Sequence, residues 1–337
     1  MAVRLKDIAD RLGVSLVTVS KVLRNEHDVG QATRRRVLHL AKQLNYQPNM
    51  LARGLASGRS FTVGLIVPDL VHSFFAELAK GVSAGLRRES YQLILASAEE
   101  DPELERMETE NLLARGVDAL VVASCQSSTS GFRSLLKSRV PFVLLDRQLE
   151  RLNTCFVGTD DVAAGRIATE HLIQLNRRKI AHISGEMIST SVGRLRGYKN
   201  ALRANKIPFR QELVAIRSRL EEAGVEIGRS AMAELLRLKR RPDAVFCYND
   251  LTAVGAIRCL RANQLRIPED VAVIGCGNLI LSSYLEVPLS SIDQSPQLQG
   301  EEAAKLALSL IAGNAGTSSN SLRVKPKLVP RQSTLGS

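Results

Sequence analysis

From residue 61 onward, short apolar runs alternate with amphipathic stretches, and this alternation restricts the chain more than any other feature. The runs TVGLIV (62–67), YQLILA (91–96), DALVVA (118–123) and PFVLL (141–145) are separated by helical patterns near 73–89, 102–115 and 129–138. A second series follows, with CFVGT (155–159), KIAHIS (179–184), DAVFC (243–247) and VAVIG (271–275), again with helices between. Alternation of strand and helix predicts doubly wound parallel sheets. Two such series predict two subdomains, with ligands bound at the carboxyl ends of the strands.

The first 60 residues have a different character. They hold 11 Lys and Arg against 4 Asp and Glu, a net of +7 out of +12 for the 337-residue chain. A small basic segment on a larger, nearly balanced body suggests a nucleic-acid-binding appendage. Lys6–Leu12 places Ile8, Ala9 and Leu12 on one helix face; Gly13 then breaks the helix and Ser15 caps the next. The stretch GVSLVTVSKVLR (13–24) is rich in β-branched residues that fit helices poorly. As a helix over Ser15–Leu23, it presents Val19, Val22 and Leu23 on one side and Leu16, Val17, Ser20 and Lys21 on the other. Packing of the first set supplies the stability that propensity does not. The second set is left free for a major groove, the apolar pair for thymine methyls and the lysine for guanine acceptors. A third helix is predicted from Thr33, as N-cap, to Leu44, with Val37, Leu40, Ala41 and Leu44 inward. Three short helices around an Ala-x3-Gly-Val-Ser turn describe a helix-turn-helix unit. Beyond it, Pro48 and Asn49 precede a weak two-turn helix over Met50–Ala56, of a kind that orders on DNA.

Other function classes find little support. No apolar run approaches the roughly 18 residues that span a bilayer, and the N-terminus lacks an apolar signal region, so a cytoplasmic protein without membrane attachment is expected. The cysteines at 125, 155, 247, 259 and 276 never fall in CxxC spacing and read as reduced core residues. Phosphate-binding GxxxxGK[ST], GxGxxG after a strand, HExxH and GxSxG are all missing, so no enzyme, cofactor or metal site is predicted. His171 and His182 are expected in structural roles.

The segments LKDIADRLGVSLVTVSKVL and TRRRVLHLAKQLNYQPNMLARGLASGRS resemble the LacI/GalR family of bacterial transcription regulators. So do VGLIVPDLVHSFFAEL, RGVDALVV, LLDR, GRLRGY, PDAVFCYND, IPEDVAVIG, SSIDQSPQLQG and LVPRQST in the body. The resemblance implies a small all-α helix-turn-helix domain (1–47), a hinge helix and linker (48–60), and a two-lobed α/β domain like a periplasmic binding protein (61–337). Lobe 1 is expected at about 61–159 plus 293–321, lobe 2 at about 160–292 plus 322–337, joined by three crossovers. By the same resemblance Leu16, Val17 and Lys21 read bases, while Ser15, Thr18, Ser20 and Thr33 bond to phosphates. Asn49 caps the hinge helix, Arg53 contacts the DNA backbone, and Leu55, followed by Ala56, is the minor-groove wedge that kinks the duplex. Arg24 stands where the family usually has Asn and still reaches a phosphate.

For the cleft, the resemblance implies an effector held by Phe74 and Phe75, with packing under the lobe as the alternative for one of them. Ser124 and Cys125 are expected at the end of the third strand, Asp146 and Arg147 at the end of the fourth. Thr190 and Arg194 should grip the ligand, with Asn249 and Gln294 completing the set and Asp250 only capping the next helix. Gly277 replaces an acid common in sugar-sensing members while Arg194 is kept and Arg147 stands beside Asp146, which makes the pocket less acidic and favours a sugar acid over a neutral sugar. A homodimeric repressor of carbohydrate or sugar-acid genes is thus expected, without a tetramerising tail, on a pseudo-palindromic double-stranded operator.

Overall fold

The computed structural model describes residues 3–23, 28–46, 54, 58–149, 152, 154–186, 188–216, 224–313 and 321–336. The chain divides into two compact units, Met1–Ser60 and Phe61–Ser337. The first contains α1 (Leu5–Leu12), α2 (Leu16–Leu23) and α3 (Gln31–Gln43). Gly13 ends α1 at φ +64°, the left-handed conformation that glycine tolerates best. Ser15 Oγ then accepts the Thr18 amide at 3.0 Å, the N-cap bond that starts α2. Val19 and Val22 are buried against Ile8, Ala9, Val37 and Ala41, with Leu23 packed partly buried beside them. The third helix begins earlier than predicted: Gly30 is its N-cap and Thr33 lies inside its first turn.

The second unit is built on two six-stranded sheets. The first uses β1 (Thr62–Val67), β2 (Gln92–Ser97), β3 (Ala119–Val122), β4 (Phe142–Leu145), β5 (Cys155–Thr159) and β11 (Ser321–Val324), in the order β11-β5-β4-β3-β1-β2. The second uses β6 (Ile180–Ser184), β7 (Val214–Ile216), β8 (Ala244–Cys247), β9 (Ala272–Cys276), β10 (Ser290–Asp293) and β12 (Lys327–Val329), in the order β12-β10-β9-β8-β6-β7. Pairing is parallel throughout except between β10 and β12. Helices cover both faces of each sheet. On the first, α4 (Ser73–Arg88) lies on one side, and α5 (Pro102–Ala114) and α6 (Arg133–Ser138) on the other. On the second, α7 (Asp161–Gln174) and α8 (Ser189–Ala204) oppose α9 (Gly224–Leu236) and α10 (Asp250–Ala262). Helix α11 (Pro296–Ile311) returns to pack against α4, and α12 (Gln332–Leu335) closes onto β9 and β10.

Strand pairing places the lobe boundary. CFVGT heads the second sequence series, yet its strand β5 bonds to β4, Val143 opposite Cys155, and belongs to the first sheet, in agreement with the lobe bound at 159. Ser321–Val324 pairs with Phe156–Thr159, so the first lobe continues through residue 324 rather than stopping near 321. The lobes are therefore linked after β5, after β10 and between β11 and β12.

One buried histidine sets a pH dependence of stability. His182, on β6, is stacked between Phe246 and Tyr198, at ring-centroid distances of 4.7 and 5.3 Å. Its Nδ1–H donates to the Phe246 carbonyl at 2.9 Å, and among the described residues Nε2 has no partner. Burial pulls its pKa down to about 4 from an ordinary 6.5. Below pH 6.5 the unfolded chain takes up a proton that the folded chain refuses. Stability is thus intact above pH 6.5 and falls as pH drops toward 4, by about 3 kcal/mol at 1.36 kcal/mol per unit. Urea midpoints of wild type and His182→Phe should diverge between pH 7.5 and 4.5, with the shallower pH dependence in the variant. Parallel curves would rule out this origin.

Candidate functional site

A cleft between the lobes is lined from both sheets by residues just beyond their carboxyl strand ends, where open α/β sheets bind ligands. Lobe 1 contributes His72, Phe74 and Phe75 after β1, Glu100 after β2, and Asp146 and Arg147 after β4. Lobe 2 contributes Glu186 and Ile188 after β6, Thr190 and Arg194 from α8, Tyr248 and Asn249 after β8, Cys276 and Gly277 at the end of β9, and Gln294 after β10. Both phenylalanines line the cleft and also belong to the lobe 1 core, their rings 5.4 Å apart in an edge-to-face arrangement. The His72 side chain caps α4 by accepting the Phe74 amide at 3.3 Å.

The two arginines are held internally. Arg147 makes a two-pronged pair with Glu100, at 2.8 and 2.9 Å. Arg194 Nε donates to Asp161 at 2.9 Å and its Nη1 to the Tyr248 carbonyl at 2.6 Å. Its position depends on close backbone contact between α7 and α8. A Cβ on Gly165 would meet the Arg194 carbonyl oxygen at 2.0 Å, and one on Gly197 would meet the Val162 carbonyl oxygen at 2.1 Å. Burial pushes the Asp161 carboxyl up from its ordinary value while the Arg194 guanidinium opposes the shift.

Ser124 and Cys125 do not line the cleft. Ser124 Oγ donates to Glu105 at 2.7 Å, and the Cys125 amide to the other oxygen of the same carboxylate at 2.6 Å, so buried Glu105 holds this strand end down onto α5. Asn249 lines the cleft, and it rather than Asp250 caps α10, its side chain accepting the Thr252 amide at 2.8 Å. Asp250 instead accepts from Ser291 Oγ, Ser282 Oγ and the Leu279 amide at 2.6–2.8 Å, bracing the loop after β9. Gly277 in that loop has φ +135°, which L side chains rarely adopt, so an acid at this position would need a different backbone. Gln294 Nε2 donates to Thr159 Oγ1 at 3.2 Å across the crossover. His72, Glu100, Glu186, Ile188, Tyr248 and Cys276 are lining residues that the sequence reading missed. Glu100, Glu186, Ile188, Tyr248 and Cys276 lie within four residues of predicted strand ends, which is the signal that points to them.

This arrangement offers hydrogen-bonding groups from both lobes around an aromatic floor, suited to enclosing a small polar ligand. His171 bonds to Thr334 at 2.8 Å and His182 to the Phe246 carbonyl, and neither is among the residues that line the cleft. Among the described residues no group of His, Cys, Asp and Glu is arranged to hold a metal ion, and no helix is long and apolar enough to cross a membrane.

On the head, Leu16 and Val17 are 47% and 60% exposed although α2 is otherwise anchored by its apolar residues. Ser20 lies half-buried one turn along, and Thr18 Oγ1 sits 2.8 Å from Ser15 Oγ. The Lys21 ammonium is paired with Asp28. Arg24, Asn49, Arg53, Leu55 and Ala56, with the hinge helix they imply, lie outside the described residues.

Comparison with known proteins agrees with both units. Residues 4–49 match the bacterial regulatory proteins of the lacI family, and residues 169–334 match a periplasmic binding protein-like domain. The transcriptional regulator GalR of Salmonella typhimurium is 34% identical over 330 residues, covering 98% of this chain and 95% of GalR. Among solved structures, the CelR–cellobiose complex is 31% identical with a TM-score of 0.74, over 98% of this chain and 99% of CelR. The lac repressor dimer bound to operator and the anti-inducer ONPF is 25% identical with a TM-score of 0.84, over 99% and 100% of the two chains. The chain belongs to the LacI family of bacterial regulatory proteins and is a DNA-binding transcriptional regulator, not an enzyme.

Proposed function

We propose that this regulator is a homodimeric repressor that reads a pseudo-palindromic operator through α2 and responds to a neutral, polyhydroxylated ligand, a sugar, in the interlobe cleft. The observation that carries the ligand class is the internal pairing of both cleft arginines, Arg147 with Glu100 and Arg194 with Asp161. A carboxylate ligand would have to compete with these partners and face Asp146 and Glu186 as well. This pairing weighs against the sugar acid expected from Gly277 together with Arg194 and Arg147. A neutral sugar meets a ring of donors and acceptors over aromatic surface, and the similar CelR structure holds cellobiose.

Dimerisation finds support in apolar side chains that both lobes leave exposed: Val71 (91%) beside Leu70, and Tyr284 (79%) beside Ile280 and Leu281. Ligand binding changes the angle between the lobes, and with it the pairing of the two hinges on DNA. Ligand and operator are then coupled reciprocally, by typically about 1–3 kcal/mol. Calorimetric titration of the full chain with a panel of neutral sugars and their oxidised acids tests the ligand class. Saturable heats are expected only among the neutral members. Tighter binding of the acids would overturn it and restore the anionic reading.

A further inference from the structure

The far end of α8 from the ligand carries a second recognition surface. A groove of about 510 Å³ runs along the last turns of α8 and the loop that follows. Lys199, Arg203 and Lys206 form its wall, and Ile207, Pro208 and Phe209 its floor. Thr190 and Arg194, at the other end of the helix, face the cleft; Arg203 lies thirteen residues from Thr190, about 20 Å at 1.5 Å per residue. The groove is therefore separate from the ligand site.

Its charge is one-sided. Residues 189–211 contain six basic residues and no acid. Several exposed helical arginines elsewhere carry an acid one turn away, as in Arg166–Glu170, Arg106–Glu103 and Arg229–Glu226. Among the described residues Lys199, Arg203 and Lys206 enter no salt bridge; Arg203 reaches only Asn200 Oδ1, at 3.2 Å. Lys199 Nζ instead lies 4.7 Å over the Phe209 ring, and that ring, 40% exposed, is propped edge-on by buried Tyr198. A second groove sharing Lys206, Ile207 and Pro208 continues the basic rim to Arg178 and Arg210.

We propose that this groove docks an acidic peptide segment of a partner protein that carries an apolar anchor residue. Unpaired cations around a concavity attract a polyanion and speed its encounter. The floor decides which polyanion. Duplex DNA has no side chain to place on Ile207, Pro208 and Phe209. Single-stranded nucleic acid is held on successive aromatic platforms, and the groove offers one exposed ring. An acidic segment with a buried Leu or Phe satisfies both rim and floor, with the anchor supplying the central contact.

The test uses the full chain with saturating duplex DNA present, so that the basic head is occupied. The probe is a fluorescein-labelled dodecapeptide of Asp and Glu with a central Leu-Phe pair, followed by anisotropy at 150 mM salt. Saturable binding is expected, at least tenfold weaker when Leu-Phe becomes Ser-Ser. Binding should weaken at least thirtyfold in Lys199→Glu/Arg203→Glu and at least tenfold in Phe209→Ser, with melting curves and DNA binding unchanged in both variants. Absence of peptide binding would overturn the proposal. So would equal binding of a labelled twelve-nucleotide thymidine strand, or of the Ser-Ser peptide, since either would mean charge attraction without recognition. Peptide binding that survives both groove variants would also overturn it.

Discussion

Arg194→Ala is expected to abolish the ligand response and to destabilise the body by about 3–5 kcal/mol, while operator binding by the ligand-free protein persists. The stability loss follows from what the guanidinium leaves behind. Asp161 is buried beside it, and the Tyr248 carbonyl accepts its second bond at 2.6 Å. Removing one member of a buried pair leaves an uncompensated charge, which is the costly case, typically about 3–5 kcal/mol. The ligand effect has a different origin. Arginine has five N–H donors, and two of them are committed to Asp161 and Tyr248. The others belong to a residue that lines the cleft from lobe 2. Arg194→Ala/Asp161→Ala separates the two roles. The double variant no longer buries an orphan carboxylate, so a large part of the denaturant midpoint should return. Calorimetric binding of whichever sugar the wild type takes should not. Recovery of both together would reduce Arg194 to a structural brace.

Much of the architecture is legible in the chain because buried parallel strands are apolar throughout. The runs at 62–67, 118–123, 141–145 and 271–275 fall on β1, β3, β4 and β9 to within a residue or two. β7, β10, β11 and β12 are three or four residues long and include sequences such as SSID and SLRV. Four residues cannot display a period, and these strands owe their existence to neighbours far away in sequence. Sheet membership has the same cause. CFVGT precedes a helix as the second-series strands do, so the alternation by itself does not assign it, whereas its register against β4 puts it in lobe 1. In the cleft, the strand-end rule finds a ring of positions but not which side chains turn into it. Ser124 and Cys125 are drawn away by Glu105, a buried acid about twenty residues earlier that no local pattern reveals. Arg147 counts as a pocket cation in the sequence, but its partner Glu100 lies forty-seven residues back, in a loop after a different strand, where no local pattern pairs the two.

In the head the sequence and the fold agree most closely, and the consequence there is a large one. Leu16→Ser/Val17→Ser is expected to lower affinity for the selected operator by roughly 100-fold or more and to leave non-specific DNA binding within about twofold. Both side chains are exposed at the start of a helix whose other face is committed to Ile8, Val37 and Ala41. Exposed substitutions of this kind change stability by only about 0.5 kcal/mol or less, so a binding defect cannot be attributed to unfolding. Apolar contact with thymine methyls is lost at two positions, and each mispaired position costs about 1–3 kcal/mol, roughly additively. Phosphate contacts, which carry non-specific affinity and its salt dependence, are untouched. The operator is obtained by selection of the wild type from a randomised duplex library, and the variant is then measured against it and against scrambled DNA. Lys21→Ala is the informative contrast. Its ammonium is paired with Asp28 on the free head, so any base contact first has to break that pair. The alanine variant should therefore lose less than the double serine variant on the same operator. Equal losses on specific and scrambled DNA for Leu16→Ser/Val17→Ser would instead mean that α2 only steadies the head and that sequence is read elsewhere.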